Sequence, residues 1–336
     1  MDDFKVILAS GAEHLTEQFD SKGIPVFCLE PNFDGKRFFP NSDLYVKVSQ
    51  VEKLSDKRVI VIQNGTGSSP AEKEFFSTAD RLQELILILD MLKQPTKVEK
   101  IGHKQYKTNP ITPPKSIEVV LTFQPFALQD KAFSTGEAIS SKSAMYGIAE
   151  RCNKLWVVEP VVNKGIDWVD RLAKHGKYKI ITFTSEIVEK AAQVFGFDEY
   201  VLTAPDEGAQ KRFGVPGLSK RRSDSFTIEM CGNLDVRGKN VIVIDDLTKS
   251  GTTLLRAGKM LKDQGAVDVG FVVLHVTPIR DGGEELLASL VEKSHRKVMT
   301  SNTVFSKTFC KDYPELTFDV VDCIITQISQ GNRVDS

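Results

Sequence analysis

Nine short runs of mostly branched apolar residues punctuate this chain, each four to six residues long: Lys5–Leu8, Val59–Gln63, Glu118–Phe123, Leu155–Val158, Lys179–Phe183, Glu199–Thr203, Asn240–Ile244, Val269–Leu274 and Val320–Ile325. Near-continuous apolar runs without polar alternation are what parallel strands covered on both faces require. Helical periodicity fills the intervals over Ala71–Leu92, Ser140–Arg151, Ser185–Phe195, Thr253–Gln264 and Gly283–Lys293. Strands alternating with helices predict an α/β fold of doubly wound, mostly parallel sheets. A length of 336 residues suggests about two domains. The boundary is expected near Pro160, giving domains at 1–160 and 161–314, with 315–330 returning to complete the first. Two stretches break the rhythm. Lys93–Lys115 carries four prolines and many lysines and reads as a surface insertion, and Phe213–Asp224 reads as irregular, with three consecutive bases.

Composition narrows the function classes. Formal net charge is −1, so no whole-chain field favours nucleic acid or an anionic membrane. Five scattered cysteines (Cys28, Cys152, Cys231, Cys310 and Cys323) form no C-x-x-C pair, which argues against a disulfide framework or a zinc site. The acidic start, MDDFKVILAS, lacks the bases of a signal peptide, and the longest apolar run, Leu85–Leu89, is too short to span a bilayer. A cytoplasmic location is the expectation.

The chemistry concentrates between Val241 and Thr253, which read VIVIDDLTKSGTT. A buried strand ends in Asp245 and Asp246, at the edge where ligands sit in open α/β sheets. Thr248, Lys249, Ser250, Gly251, Thr252 and Thr253 then turn into a helix. Backbone N–H groups at a glycine turn and a helix N-terminus attract phosphate, aided by the hydroxyls. The carboxylates suit sugar hydroxyls or Mg²⁺ held through water. A ribose phosphate carries both features. A D-D pair alone also caps strands; its combination with a hydroxyl loop and helix start favours a site.

These residues resemble the phosphoribosyl-diphosphate (PRPP) loop shared by type I phosphoribosyltransferases and PRPP synthetases (ribose-phosphate pyrophosphokinases). Further segments resemble the synthetase family. Ala204–Arg212, APDEGAQKR, is similar to SPDxGxxxR, and Lys220-Arg221-Arg222 to the KRR of its mobile catalytic loop. Phe39–Asp43, FPNSD, resembles the adenine-reading F-x-[DN]-G-E, and Val59–Asn64 a strand ending in IIQST. Phe126–Lys131, FALQDK, resembles the nucleotide loop YARQD[KR], followed by the similar segment Thr135–Lys142. Leu274-His275 and Ser301-Asn302-Thr303 resemble the family's TH and TNT. The resemblance covers nearly the whole chain apart from Lys93–Lys115.

It implies Mg²⁺-dependent transfer of a pyrophosphoryl group from ATP to the anomeric hydroxyl of ribose 5-phosphate, in a homo-oligomer of two such domains facing across a cleft. Lys220 and Arg222 would stabilise the transferring group, with Arg212 and Asp206 assisting. Asp245, Asp246 and Thr248–Thr253, Lys249 included, would hold the ribose phosphate. Phe39, Asn41, Asp43, Gln129 and Asp130 would bind the nucleotide, and Asp245, Asp246, Asp206 and Glu159 the metal. Phe39 also suits a plain core aromatic, and His275 a structural role.

Departures are specific. Leu128 stands where the family has arginine, and Glu159 and Val161 replace the aspartate and histidine of VDLH. Asn163–Trp168 does not resemble QIQGFF, although Lys164 brings a charge there. These changes leave open a sibling pyrophosphokinase with another ribosyl acceptor, such as ADP-ribose. A non-catalytic regulatory paralogue and a base phosphoribosyltransferase are the remaining alternatives.

Overall fold

The computed structural model describes residues 4–161, 165–222, 228–231 and 234–331, and for 219–222 and 228–231 the backbone only. The chain divides into two compact units: 1–68 with 72–181 and 321–336, and 69–71 with 182–320.

The first unit is a six-stranded sheet of order β2-β1-β3-β6-β7-β8, comprising β1 (Phe4–Leu8), β2 (Val26–Cys28), β3 (Arg58–Asn64), β6 (Ser116–Phe123), β7 (Lys154–Val158) and β8 (Tyr178–Ile181). Every pairing is parallel. Helices α1 (Thr16–Ser21), α2 (Thr78–Lys93), α3 (Ser140–Ala149), α4 (Asp167–Lys174) and α9 (Val321–Gln330) accompany it. Val59 to Ile62 and Val119 to Leu121 are wholly buried, as two-sided cover demands. Each such side chain contributes roughly 1.5–3 kcal/mol when removed from water. Helix α2 starts at Ser77, whose hydroxyl accepts from Asp80 N (3.1 Å) while the Asp80 carboxylate accepts from Ser77 N (2.8 Å). This capping box satisfies two terminal amides.

Charges are also buried in this unit. Glu84 on α2 accepts from Ser10 N (2.8 Å) and Gln63 Nε2 (3.1 Å) and pairs with Arg37. Arg81 pairs with Glu72 and donates to Thr66 O at 2.7 Å. Low on the sheet, Glu118 receives Arg58 Nε at 2.8 Å, Arg58 Nη2 at 3.1 Å and Trp156 Nε1 at 2.8 Å. Arg58 also donates to Ile328 O at 3.0 Å, which fastens α9 to the sheet.

The second unit is a five-stranded parallel sheet of order β15-β14-β13-β12-β9: β9 (Tyr200–Thr203), β12 (Asn240–Thr248), β13 (Asp268–Val276), β14 (Val298–Ser301) and β15 (Thr317–Phe318). Its helices are α5 (Thr184–Phe195), α6 (Glu207–Phe213), α7 (Thr252–Asp263) and α8 (Gly283–Lys293). Val241, Val243, Leu254, Leu261, Phe271, Val273, Leu287 and Leu290 share one buried cluster, so α7 and α8 are seated on β12 and β13.

Several expectations are corrected. The division falls at 181/182 and not near Pro160, because β8 pairs with β7 and extends the first sheet. Val320–Ile325 is not a strand. Buried Val321, Ile324 and Ile328 recur at helical spacing, and the segment forms α9. Residues from 321 onward join the first unit, whereas 315–320 stay with the second. The Lys93–Lys115 insertion contains an antiparallel hairpin, β4 (Thr96–Gly102) with β5 (Gln105–Pro110). The stretch read as irregular near Lys220 is β10 (Ser219–Arg222), paired antiparallel with β11 (Ile228–Cys231). Among the described residues no helix is long and apolar enough to cross a membrane.

Candidate active site

Strand β12 runs four residues beyond its expected end, so Asp245 and Asp246 are strand residues, half-buried where the strand emerges from the core. The Asp245 carboxylate accepts from Asp246 N at 2.9 Å. Arg212 on α6 is nearly buried and sends Nη1 to Asp246 Oδ2 at 3.4 Å. Asp206 caps the same helix, accepting from Ala209 N at 3.0 Å. Burial pushes the Asp246 carboxyl above its ordinary value; Arg212 pulls it down, and the Asp206 charge pushes it up. The structure therefore brings Asp206, Arg212 and Asp246 together.

The loop that follows has a defined shape. Thr248 Oγ1 accepts from Gly251 N at 2.9 Å, and the Ser250 and Thr252 hydroxyls lie 3.0 Å apart. Gly251 has φ +73°, and a Cβ there would lie 2.7 Å from Leu290 Cδ2. Glycine is needed on both counts. No side chain caps α7, so the N–H groups of its first turn remain oriented at the loop end, a ready anion site. Lys249 is exposed at this loop, and Thr253 is half-buried in the first turn.

Lys220 and Arg222 lie on β10, and their side chains are outside the described residues. The chain reaches them from β9 through a turn in which Leu218 N donates to Ala204 O (2.9 Å) and Gln210 Nε2 to Leu218 O (2.8 Å). Lys164 falls outside the described residues altogether.

The remaining candidates belong to the first unit. Phe39, Asn41 and Asp43 form one tight turn: Phe39 N donates to Asp43 O at 2.8 Å, and Asn41 Nδ2 to Asp43 Oδ2 at 2.6 Å. Phe39 is half-buried and meets Tyr45 edge-on at 5.7 Å, while Asn41 and Asp43 are exposed. Gln129 is held by Ser140 Oγ (3.2 Å) and Glu137 (3.4 Å), and the Asp130 carbonyl accepts from Trp168 Nε1 (2.9 Å). Leu128, in place of arginine, is exposed. Glu159 is buried at the end of β7 with φ +40°, a strained value for a non-glycine residue.

Among the described residues no three His, Cys, Asp or Glu side chains gather into a metal site. Asp206 is engaged in helix capping, Asp246 faces Arg212, and Glu159 lies in the other unit. His275 is buried, with Nδ1 2.8 Å from Thr303 Oγ1, and Ser301 Oγ donates to Leu274 O. This is a structural network joining β13 to β14. Sequence reading missed Glu284, whose carboxylate accepts from Ser306 Oγ (2.8 Å), Lys307 N (2.9 Å), Thr308 N (3.0 Å) and Thr308 Oγ1 (2.8 Å).

A phosphoribosyl transferase domain matches residues 186–314, a span within the second unit. Ribose-phosphate pyrophosphokinase of Pyrococcus furiosus is 26% identical over 298 residues, covering 86% of this chain and 91% of that protein. The enzyme of that name from Saccharolobus solfataricus is 24% identical over 296 residues, covering 84% and 88%. In fold, phosphoribosylpyrophosphate synthetase from Mycobacterium smegmatis matches 98% of both chains, with a TM-score of 0.68 at 20% identity. Over most of its length the chain is thus similar to ribose-phosphate pyrophosphokinases, at 24–26% identity. Within the motifs quoted above, Leu128, Glu159 and Val161 are the departures, and the β4–β5 hairpin occupies the segment that the resemblance leaves out.

Proposed function

We propose that this protein transfers the pyrophosphoryl group of ATP to the anomeric hydroxyl of ribose 5-phosphate. The hydroxyl oxygen attacks the β-phosphorus, the bond from that phosphorus to the α–β bridging oxygen breaks, and AMP leaves with the electron pair. PRPP is the other product, and the hydroxyl proton passes to solvent. The observation that carries this reading is the continuous β12–loop–α7 unit, with a carboxylate pair at one end and an uncapped helix N-terminus at the other.

In this reading the α7 amides and the hydroxyls of Thr248, Ser250, Thr252 and Thr253 hold the 5-phosphate, with Lys249 beside them. Asp245 and Asp246 accept from the ribose hydroxyls. Arg212 is a positioning residue through its contact with Asp246. Lys220 and Arg222 neutralise the transferring phosphates, the kind of electrostatic aid that dominates phosphoryl transfer. Phe39, Asn41, Asp43, Gln129 and Asp130 bind the nucleotide.

Mg²⁺ fits the donor set. It keeps several waters and takes one or two carboxylates together with substrate phosphates, so it needs no cage of three protein ligands. The half-exposed Asp245 and Asp246 would hold it, and the raised Asp246 carboxyl is one that a further cation stabilises as carboxylate. When bound, the ion offsets charge on the triphosphate.

A second acceptor is favoured by one observation. Lys249 is exposed at the phosphate loop and suits a more anionic ribosyl acceptor such as ADP-ribose. The test uses Mg-ATP with ribose 5-phosphate in one arm and ADP-ribose in the other, following AMP and product mass. AMP with ribose 5-phosphate, matched by PRPP, is expected. AMP with ADP-ribose alone would move the activity to the second acceptor, and none in either arm would favour a regulatory paralogue.

A further inference from the structure

The β4–β5 hairpin takes no part in the activity described above. Thr96 pairs with Pro110, Val98 with Thr108 and Lys100 with Tyr106, so these six residues share one face. Every residue of the two strands except Gly102 and Asn109 is exposed, including Val98 at 58% and Tyr106 at 61%. A two-stranded hairpin is marginal in water on its own, and both of its edges offer unpaired backbone groups. The opposite face is charged, with Glu99 across from Lys107 and 3.1 Å from Lys97. One face is thus built for water, and the other carries apolar side chains that nothing among the described residues covers. Over Thr96–Pro110 four lysines (97, 100, 104 and 107) stand against one glutamate.

The second unit carries the complementary surface. A groove of about 380 Å³ lies beside α5 and β9, lined by Glu189, Ala192, Gly196, Phe197, Asp198 and Tyr200 among others. Between Thr184 and Thr203 four acids (Glu186, Glu189, Asp198 and Glu199) stand against Lys190 alone, and all five are exposed. β9 is the edge strand of its sheet. The groove therefore is of mixed polarity, with the half-buried Tyr200 ring in its lining, an acidic rim and a sheet edge beside it, which answer the hairpin's Tyr106 and Val98, lysines and strand edge.

We propose that the hairpin of one copy docks on the α5–β9 groove of a second copy, with the Val98–Tyr106 face toward Phe197 and Tyr200 and with Lys100 and Lys104 toward Glu189 and Asp198. Hairpin-to-hairpin pairing would bring like charges together, so the contact is heterologous and joins different surfaces of the two copies. This inference stands independently of the activity.

The test is sedimentation equilibrium of the full chain at low and at high salt. Changing Lys100 and Lys104 to Glu is expected to lower the average mass, and high salt is expected to weaken assembly of the parent. Adding Glu189→Lys and Asp198→Lys to that variant is expected to restore the mass. Tyr106→Ser, which leaves the charges in place, is expected to lower it as well. A monomeric parent, a mass unmoved by the lysine changes, or no recovery on the double charge swap would each overturn the proposal. Circular dichroism of every variant separates loss of docking from loss of fold.

Discussion

Two regions of the molecule, the first sheet around Glu84 and Glu118 and the end of β12, use carboxylates in opposite ways. In the first, Glu84 and Glu118 are fully enclosed, and each is met by an arginine and by further donors: Ser10 N and Gln63 for Glu84, Trp156 for Glu118. In the second, Asp245 and Asp246 are half-buried, and Asp246 meets Arg212 only at 3.4 Å. A carboxylate saturated by short contacts is architecture. One left half-open on a strand end, with an uncapped helix following, is suited to receive a ligand. The second unit contains the architectural kind as well: Glu284 gathers donors from Ser306, Lys307 and Thr308, so the distinction follows local saturation and not the unit.

The contrast can be broken by substitution. The largest effect is expected from Glu84→Ala, which leaves Arg37 buried without its charge partner and should cost about 3–5 kcal/mol in urea unfolding. The folded fraction should keep its kcat; a variant that stays stable yet loses turnover would place Glu84 in the chemistry. Lys220→Ala is the reverse case. Its stability should hold while kcat falls about 10²–10³-fold, and a rate within a few-fold of the parent would remove Lys220 from the proposed mechanism.

Smaller effects sharpen the local geometry. Gly251→Ala forces a Cβ toward Leu290 at φ +73°, a conformational strain of about 1–3 kcal/mol that should appear as a raised KM for ribose 5-phosphate. An unchanged KM would show that the loop does not grip the phosphate. Ser77→Ala removes the α2 cap and should lower stability by about 1 kcal/mol without touching catalysis. Thiol labelling gives the mildest readout. Burial pushes Cys152 up to about 12, so it holds almost no thiolate near neutral pH and should label only on unfolding, after exposed Cys28. Labelling of Cys152 at the Cys28 rate would show that the first core opens readily.

What the amino-acid order revealed was local. The apolar runs give the strands because two-sided burial permits few polar interruptions, and the β12 loop is legible because its parts are contiguous. Pairs such as Arg58 with Glu118, 60 residues apart, depend on strand order and register, which no short window contains. The apolar run Val320–Ile325 fits either period, and packing against the first sheet decided for a helix. The hairpin was hidden by its prolines, of which Pro95 lies just outside the strands and Pro110 at the end of one. The pairing of Arg212 with Asp246 had a signal, since each sits in a motif of its own, but only the fold shows that they meet.

The most direct measurement is phosphorus NMR of the protein with Mg-ATP and ribose 5-phosphate, read beside the Asp245→Asn/Asp246→Asn variant. The parent is expected to build a pyrophosphoryl group on ribose C1 with an equal amount of AMP, and the variant to do neither while remaining folded. ADP in place of AMP, or full activity without the two carboxylates, would contradict the assignment of β12 and its loop to the ribose phosphate.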